Sequence, residues 1–231
     1  MIATIHIADV GVRRALTVLA RPPRDGSIPG LRHADVGICA PFGTGAARPP
    51  QFGRVALFGF WDGDDAIDEF LASHRLAAML SGGWRVRLEP LRGFGSWPGV
   101  PYDLRRGRSV AEPGPFAVLT LAQLRPSQAI RFFRTNAKAE EGVLDAPGNI
   151  WATAVARPPF LATCSLWESE EAISAYAFRS GSNHAAAITE QARQAFHKES
   201  AFVRFRPYRS EGGLEGRNPV PSSWMTGVAA G

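Results

Sequence analysis

Apolar and polar positions alternate from Ala3 to Val10, with Ile5 and Ile7 set against Thr4 and His6, and this period of two predicts a strand. The period changes at once. Val12, Ala15, Leu16 and Leu19 recur at helical spacing, so Val12 to Ala20 is expected to be a helix, stopped by Arg-Pro-Pro and Asp-Gly-Ser-Ile-Pro-Gly. Leu31 to Ala40 and Arg54 to Trp61 read as the next two strands, separated by a Gly/Pro-rich loop from Pro41 to Pro50. Asp64 to Leu80 reads as one helix with Ile67, Phe70, Leu71 and Ala78 inward and carboxylates in its first turn, where the helix dipole favours them. Trp84 to Leu91 is the fourth strand. The order β-α-β-β-α-β is that of a ferredoxin-like split unit.

The chain then says the same thing again. Trp61 and Trp167 each end an apolar strand and precede an acidic helix start, Asp62-Gly-Asp-Asp and Glu168-Ser-Glu-Glu, and Ala66-Ile67 matches Ala172-Ile173. Arg87, Pro90, Arg92, Gly95 and Gly99 fall on Arg204, Pro207, Arg209, Gly212 and Gly216 at one constant offset. Ala8, Ala15 and Leu16 fall likewise on Ala122, Ala129 and Ile130, and Pro29-Gly30 on Pro147-Gly148. An internal duplication follows. The second copy is expected to place strands at Phe116 to Leu124, Ile150 to Ala156, Phe160 to Trp167 and Ala201 to Tyr208. Its helices are expected at Ser127 to Thr135, at Glu170 to Phe178, and from His184 to Lys198.

The fold class expected is therefore α+β, with two tandem ferredoxin-like βαββαβ repeats closing a pseudo-dimeric α+β barrel. The divisions read as a first repeat over 1–97, a linker over 98–115, a second repeat over 116–213 and a loose tail over 214–231. Val55, Leu57, Gly59 and Trp61 are assigned to the inward face, against Leu161, Thr163, Ser165 and Trp167 in the second copy. The small and polar members of the second set suggest a cavity there, in a pocket between the two sheets.

Composition narrows the classes. The 231 residues hold ample Leu, Ile, Val and Phe for a core, and no apolar run approaches the roughly 20 residues of a membrane helix. The opening Met1 to Arg14 enters a strand directly, so no signal peptide is expected. Cys39 and Cys164 lie in apolar strands without metal or redox spacing and read as buried thiols in a cytoplasmic protein. The net charge of +5 is spread through every element, and its one dense cluster, Leu104 to Arg108, falls in a loop; no nucleic-acid partner is expected.

The order of several segments resembles the spheroidene monooxygenase-like family. They are Asn183-His184-Ala-Ala-Ala-Ile188, Phe196-His-Lys-Glu199 and Phe202-Val-Arg-Phe-Arg206 with Gly212 and Gly216. In the first half the Phe42-Gly-Thr-Gly45 loop before the strand ending at Trp61, and Ser96-Trp97, carry the same likeness. The resemblance covers the chain to about Gly216. It implies a dimeric α+β barrel and a haem-dependent oxygenase adding oxygen to an apolar carotenoid, with haem b iron as cofactor and dioxygen and an electron donor as partners. Two features depart from the pattern: Arg32-His33-Ala34-Asp35-Val36 stands where an aromatic-rich strand with a lysine is expected, and Leu214 where an aromatic residue would match Trp97.

Of the five histidines, His184 opens a helix after a Gly-Ser-Asn break and precedes three alanines that would let a flat macrocycle approach. His197 lies on the same expected helix too far along to share one metal with it, and is the alternative ligand. The family likeness favours His184. His74, its counterpart in the first repeat, reads as structural or exposed. Arg193, Arg204 and Arg206 are candidates to pair with haem propionates, or else arginines covering apolar strand surface. Trp61, Trp84, Trp151 and Trp167 are pocket walls or core. No nucleophile elbow, Walker loop or dinucleotide fingerprint is present.

These residues support a haem-dependent monooxygenase acting on a small or apolar organic substrate, a possible homodimer, cytoplasmic and peripheral to the membrane should the substrate be a carotenoid. Two alternatives stand beside it: a cofactor-free enzyme of the same barrel with a pocket His or Tyr as general base, and a non-catalytic haem-binding module.

Overall fold

A computed structural model describes residues 1–41, 49–101, 104, 114–128, 143–177 and 197–224. Its elements are β1 (Ile2–Asp9), α1 (Val12–Ala20), β2 (Leu31–Ala40), β3 (Arg54–Trp61), α2 (Asp64–Ser73), α3 (Arg75–Leu80) and β4 (Trp84–Gly95) in the first half. The second half contributes β5 (Phe116–Leu124), β6 (Asn149–Arg157), β7 (Phe160–Trp167), α4 (Glu170–Ala177) and β8 (His197–Gly212). Six of the eight strands have the bounds that alternation and turn residues predict, or differ by one residue at each end. The segment expected as the first helix of the second copy begins as a short 3-10 turn, Pro126–Gln128, and its remainder lies outside the described residues.

All strands pair antiparallel and close a barrel in the order β1-β3-β2-β6-β7-β5-β8-β4. Within it the first half runs β4-β1-β3-β2 and the second β8-β5-β7-β6, one order used twice, and the two sheets meet at β2–β6 and β4–β8. Matched positions also do the same work. Gly30 and Gly148 both have positive φ, each accepts a backbone hydrogen bond from the residue after the strand-ending tryptophan, Asp62 or Glu168, and each packs where a Cβ would strike the helix alanine Ala66 or Ala172. The buried Arg87 pairs with Asp64 in the first turn of α2, and Arg204 pairs with Glu170 in the first turn of α4.

Two layers of apolar residues follow from closure. The barrel interior holds Ile5, Ile7, Phe58, Phe60, Trp84, Leu88, Leu119, Leu166 and Phe205, with the rings of Trp84 and Trp151 5.2 Å apart. Outside it, α1 to α3 cover the first half through Val36, Val55, Leu57, Trp61, Ile67 and Phe70.

Four expectations are corrected. Val55, Leu57 and Trp61, assigned inward, face the helices, while Ala56, Phe58 and Phe60 face the interior. Nearly all of β3 is buried, so alternation alone carried no sign for the face. The described interior is accordingly a packed core and not the expected pocket between the sheets. The helix predicted from Asp64 to Leu80 breaks at His74, whose backbone turns extended (φ −89°, ψ 133°) and whose Nδ1 accepts the Leu76 N–H at 3.1 Å to start α3. Finally, His197 and Lys198 belong to β8 and not to a helix shared with His184, because β5 pairs with this stretch as far as Leu124–His197.

Candidate functional site

The outer face of the second half is where the two copies part. The strand registers set His6 and Val36 against Leu57 in the first half, and Thr120 and Ala154 against Thr163 in the second; Ile38–Val55 corresponds to Ala156–Leu161. His6, Val36 and Leu57 are buried beneath α2, where a small cavity remains beside Thr4, His6, Ile67 and Leu71. Their counterparts Thr120, Ala154 and Thr163 are smaller and half-buried, as are Ala152, Ala156 and Ser165 around them. The described strands thus present a floor of smaller methyl- and hydroxyl-bearing side chains where the first half has larger ones.

The edges of this floor are aromatic and cationic. Trp167 lies 5.4 Å from the ring of Tyr176 and donates its indole N–H to Ser165 Oγ at 2.8 Å; Trp61 packs on Phe70 at 5.0 Å and donates to Thr4 in the same manner. Glu170 serves two guanidiniums, pairing with Arg204 and lying 3.6 Å from Arg92, with the three side chains only 16, 11 and 5% exposed. Among the described residues one positive charge is left over there, and the buried Arg204 Nε has no hydrogen-bond partner. Arg206 lies 3.5 Å from Glu89.

His197 pairs with Leu124, which packs with Leu161 and Ala156, and so stands at the opposite end of the face from Arg204, roughly 23 Å along β8 at the rise of a strand. Burial lowers its pKa, leaving the neutral imidazole that a metal requires. The predicted ligand His184 and the predicted propionate partner Arg193 lie outside the described residues, in the segment joining α4 to β8. The floor, its aromatic rim and its surplus buried cation fit a flat apolar macrocycle bearing carboxylates. Among the described residues no group of three or more His, Cys, Asp or Glu is placed to hold a metal ion.

The sequence of the chain is 34% identical over 202 residues to the spheroidene monooxygenase of Rubrivivax gelatinosus, an alignment spanning 83% of this chain and 77% of that one. The chain belongs to the spheroidene monooxygenase family. A second family member, the spheroidene monooxygenase of Rhodobacter capsulatus, is 26% identical over 189 residues, spanning 78% of this chain and 77% of the relative. Membership makes this protein a monooxygenase and hence an oxidoreductase. No family model matches the chain. Among solved structures, an aldoxime dehydratase in complex with butyraldoxime covers 89% of this chain and 79% of its own with a TM-score of 0.51 and 9% identity, a likeness of fold. No helix among the described residues is long and apolar enough to cross a membrane.

This spheroidene monooxygenase family member also carries a polar network that sequence reasoning noticed only as a departure. His33 Nδ1 lies 2.8 Å from Asp25 and its Nε2 3.0 Å from the buried Asp35, which accepts the Trp97 indole N–H at 2.8 Å. Burial opposes charge on His33, but the hydrogen bonds and charges of Asp35 and Asp25 outweigh it and raise its pKa. The sequence signal was His-x-Asp on one face of a strand. The network is a clasp more than a base: both ring nitrogens are engaged, and Phe60, stacked 6.3 Å away, and Trp97 close the space beside it. Tyr208 is no readier to act as a base, since burial and its hydrogen bond to Asp64 raise its pKa.

Proposed function

We propose that the chain is a haem-dependent monooxygenase that seats haem b on the outer face of the second half of the barrel and oxidises an apolar substrate, a carotenoid polyene of the kind its relatives are named for. The observation that supports this is the exchange of His6, Val36, Ile38 and Leu57 for the smaller Thr120, Ala154, Ala156 and Thr163 at equivalent registers. Divergence that removes packing from a single copy costs stability, and a ligand bound there restores it.

In this reading His184 would supply the imidazole that holds the iron, with His197 as the alternative, and Arg204, Arg206 and Arg193 would be the cations available to propionates. Haem, when bound, supplies the redox chemistry by which one atom of dioxygen enters the substrate and the other leaves as water, with electrons from a donor protein or small reductant. The chain's own contribution is placement and dryness. Thr120, Ala154 and Thr163 allow a planar group to approach the sheet, Trp167 and Tyr176 wall it, and Arg204 holds a fixed positive charge where carboxylates would sit.

The test is the visible spectrum of the purified protein, alone and with added haemin, for wild type, His184→Ala and His197→Ala. A Soret band lost or shifted only in His184→Ala supports the assignment. A band lost only in His197→Ala keeps the haem and moves the ligand. No band in wild type with haemin present sinks the proposal.

A further inference from the structure

Among the described residues, three of the five large hydrophobic side chains that stand out in solvent belong to one small region of the first half: Val12 at 53% exposure, Leu16 at 61% and Phe52 at 60%. Val12 and Leu16 are one turn apart on α1, with the half-buried Leu19 continuing the stripe, while Ala15 and Val18 already dock the helix on the barrel. Phe52 is held beside the start of that helix, because Gly53 accepts the Val10 N–H at 2.9 Å and packs against Gly11. Val12, Leu16 and Phe52 therefore face solvent and not the core, while Leu19 reaches back onto it.

The charge around this stripe is mainly positive, although Asp9 lies just before the start of α1 beside Gly53. Arg13, Arg14, Arg21 and Arg24 are exposed, and no acidic residue occurs between Asp9 and Asp25. None of the four arginines makes an ion pair with a described residue. We propose that α1 and the turn at Phe52 form a docking surface for an anionic lipid bilayer, the apolar side chains entering the interface and the arginines meeting lipid phosphates. The charge selects this occupant. A second copy joined through a two-fold axis would set Arg13 and Arg14 against their own equivalents, and a nucleic acid would leave Leu16 and Phe52 without a partner.

The surface lies on the first half and does not rest on the haem reading, so the purified protein serves whether or not it carries a cofactor. The experiment is co-sedimentation with phosphatidylcholine vesicles, with and without phosphatidylglycerol, for wild type, the double variant R13E with R14E, and the double variant L16S with F52S. All four positions are exposed, and circular dichroism checks that the variants fold. Wild type is expected to sediment with phosphatidylglycerol vesicles and to be released by salt. Reversing the two arginines is expected to weaken partitioning by about 30-fold or more, and L16S with F52S by roughly tenfold or more. Wild type remaining in the supernatant, or both variants sedimenting as wild type does, overturns the proposal. A dimer in size exclusion that L16S with F52S dissolves, without lipid binding, overturns it in favour of a second copy.

Discussion

The floor of smaller side chains can be refilled with the residues that the first half uses. Thr163→Leu with Ala154→Val restores at the second face the Leu57–Val36 pair of the first, where those side chains are 1 and 0% exposed. Together the substitutions add four carbons and remove one hydroxyl from a half-buried surface. At about 0.8 kcal/mol per buried methylene, and with about half of that area leaving water, the protein without cofactor should gain about 1.5 kcal/mol. For a chain of this length that raises Tm by about 3–6 °C. The same bulk occupies the place assigned to the macrocycle, and an overpacked site loses about 1–3 kcal/mol, so haemin affinity should fall at least about tenfold. The two readouts move in opposite senses, which simple damage to the fold does not produce.

The assay pairs thermal unfolding of the cofactor-free protein with haemin titration followed in the Soret region. Leu57→Thr is the control: it empties the fully buried partner site, should cost about 2–4 kcal/mol, and should create no haemin site, because α2 and Phe70 still close that face. A refilled variant that is less stable and binds haemin as wild type does would refute the reasoning, since the floor would then be already packed and the site elsewhere.

The remaining predictions concern the polar joints of the barrel. Glu170→Gln removes the described counter-charge of both Arg92 and Arg204 and should destabilise by about 3 kcal/mol in chemical denaturation, whereas Asp64→Asn, which leaves Arg87 its second partner Asp68, should cost about 1 kcal/mol or less; equal losses would show that the second arginine adds nothing. His33 has a raised pKa in the folded state, so its stabilisation is complete below the unfolded value of about 6.5 and is lost as pH rises through the folded value; His33→Asn should flatten the stability profile over that interval, and an unchanged slope would exclude the clasp. Gly148→Ala meets both a positive φ and the side chain of Ala172, while Gly26→Ala meets positive φ with nothing within 4 Å; the second should cost about 1–2 kcal/mol and the first distinctly more, so similar midpoints in urea would count against the close helix approach.

Most of the barrel was legible because turn residues and alternation agree with pairing over β1 to β3 and β5 to β7. Legibility failed where tertiary contacts outvoted local pattern. His197-Lys-Glu-Ser200 is polar and follows a helix-like run, yet Ala122 and Gln123 pair with Ser200 and Glu199 and extend β8 to 16 residues. His74 sits in the middle of a sound helical period and breaks it only because its imidazole caps the next turn, a role no spacing announces. The face of β3 could not be read because both of its faces are buried, one by the barrel and one by helices. What did survive that inversion was the contrast between copies. Thr163 stands against Leu57 whichever side of the sheet the pair faces, since an offset between repeats is indifferent to the sense of alternation. A strand order used twice thus carries its own comparison: His6, Val36 and Leu57 show what packs this face in the first half, and Thr120, Ala154 and Thr163 are where the second half departs from it.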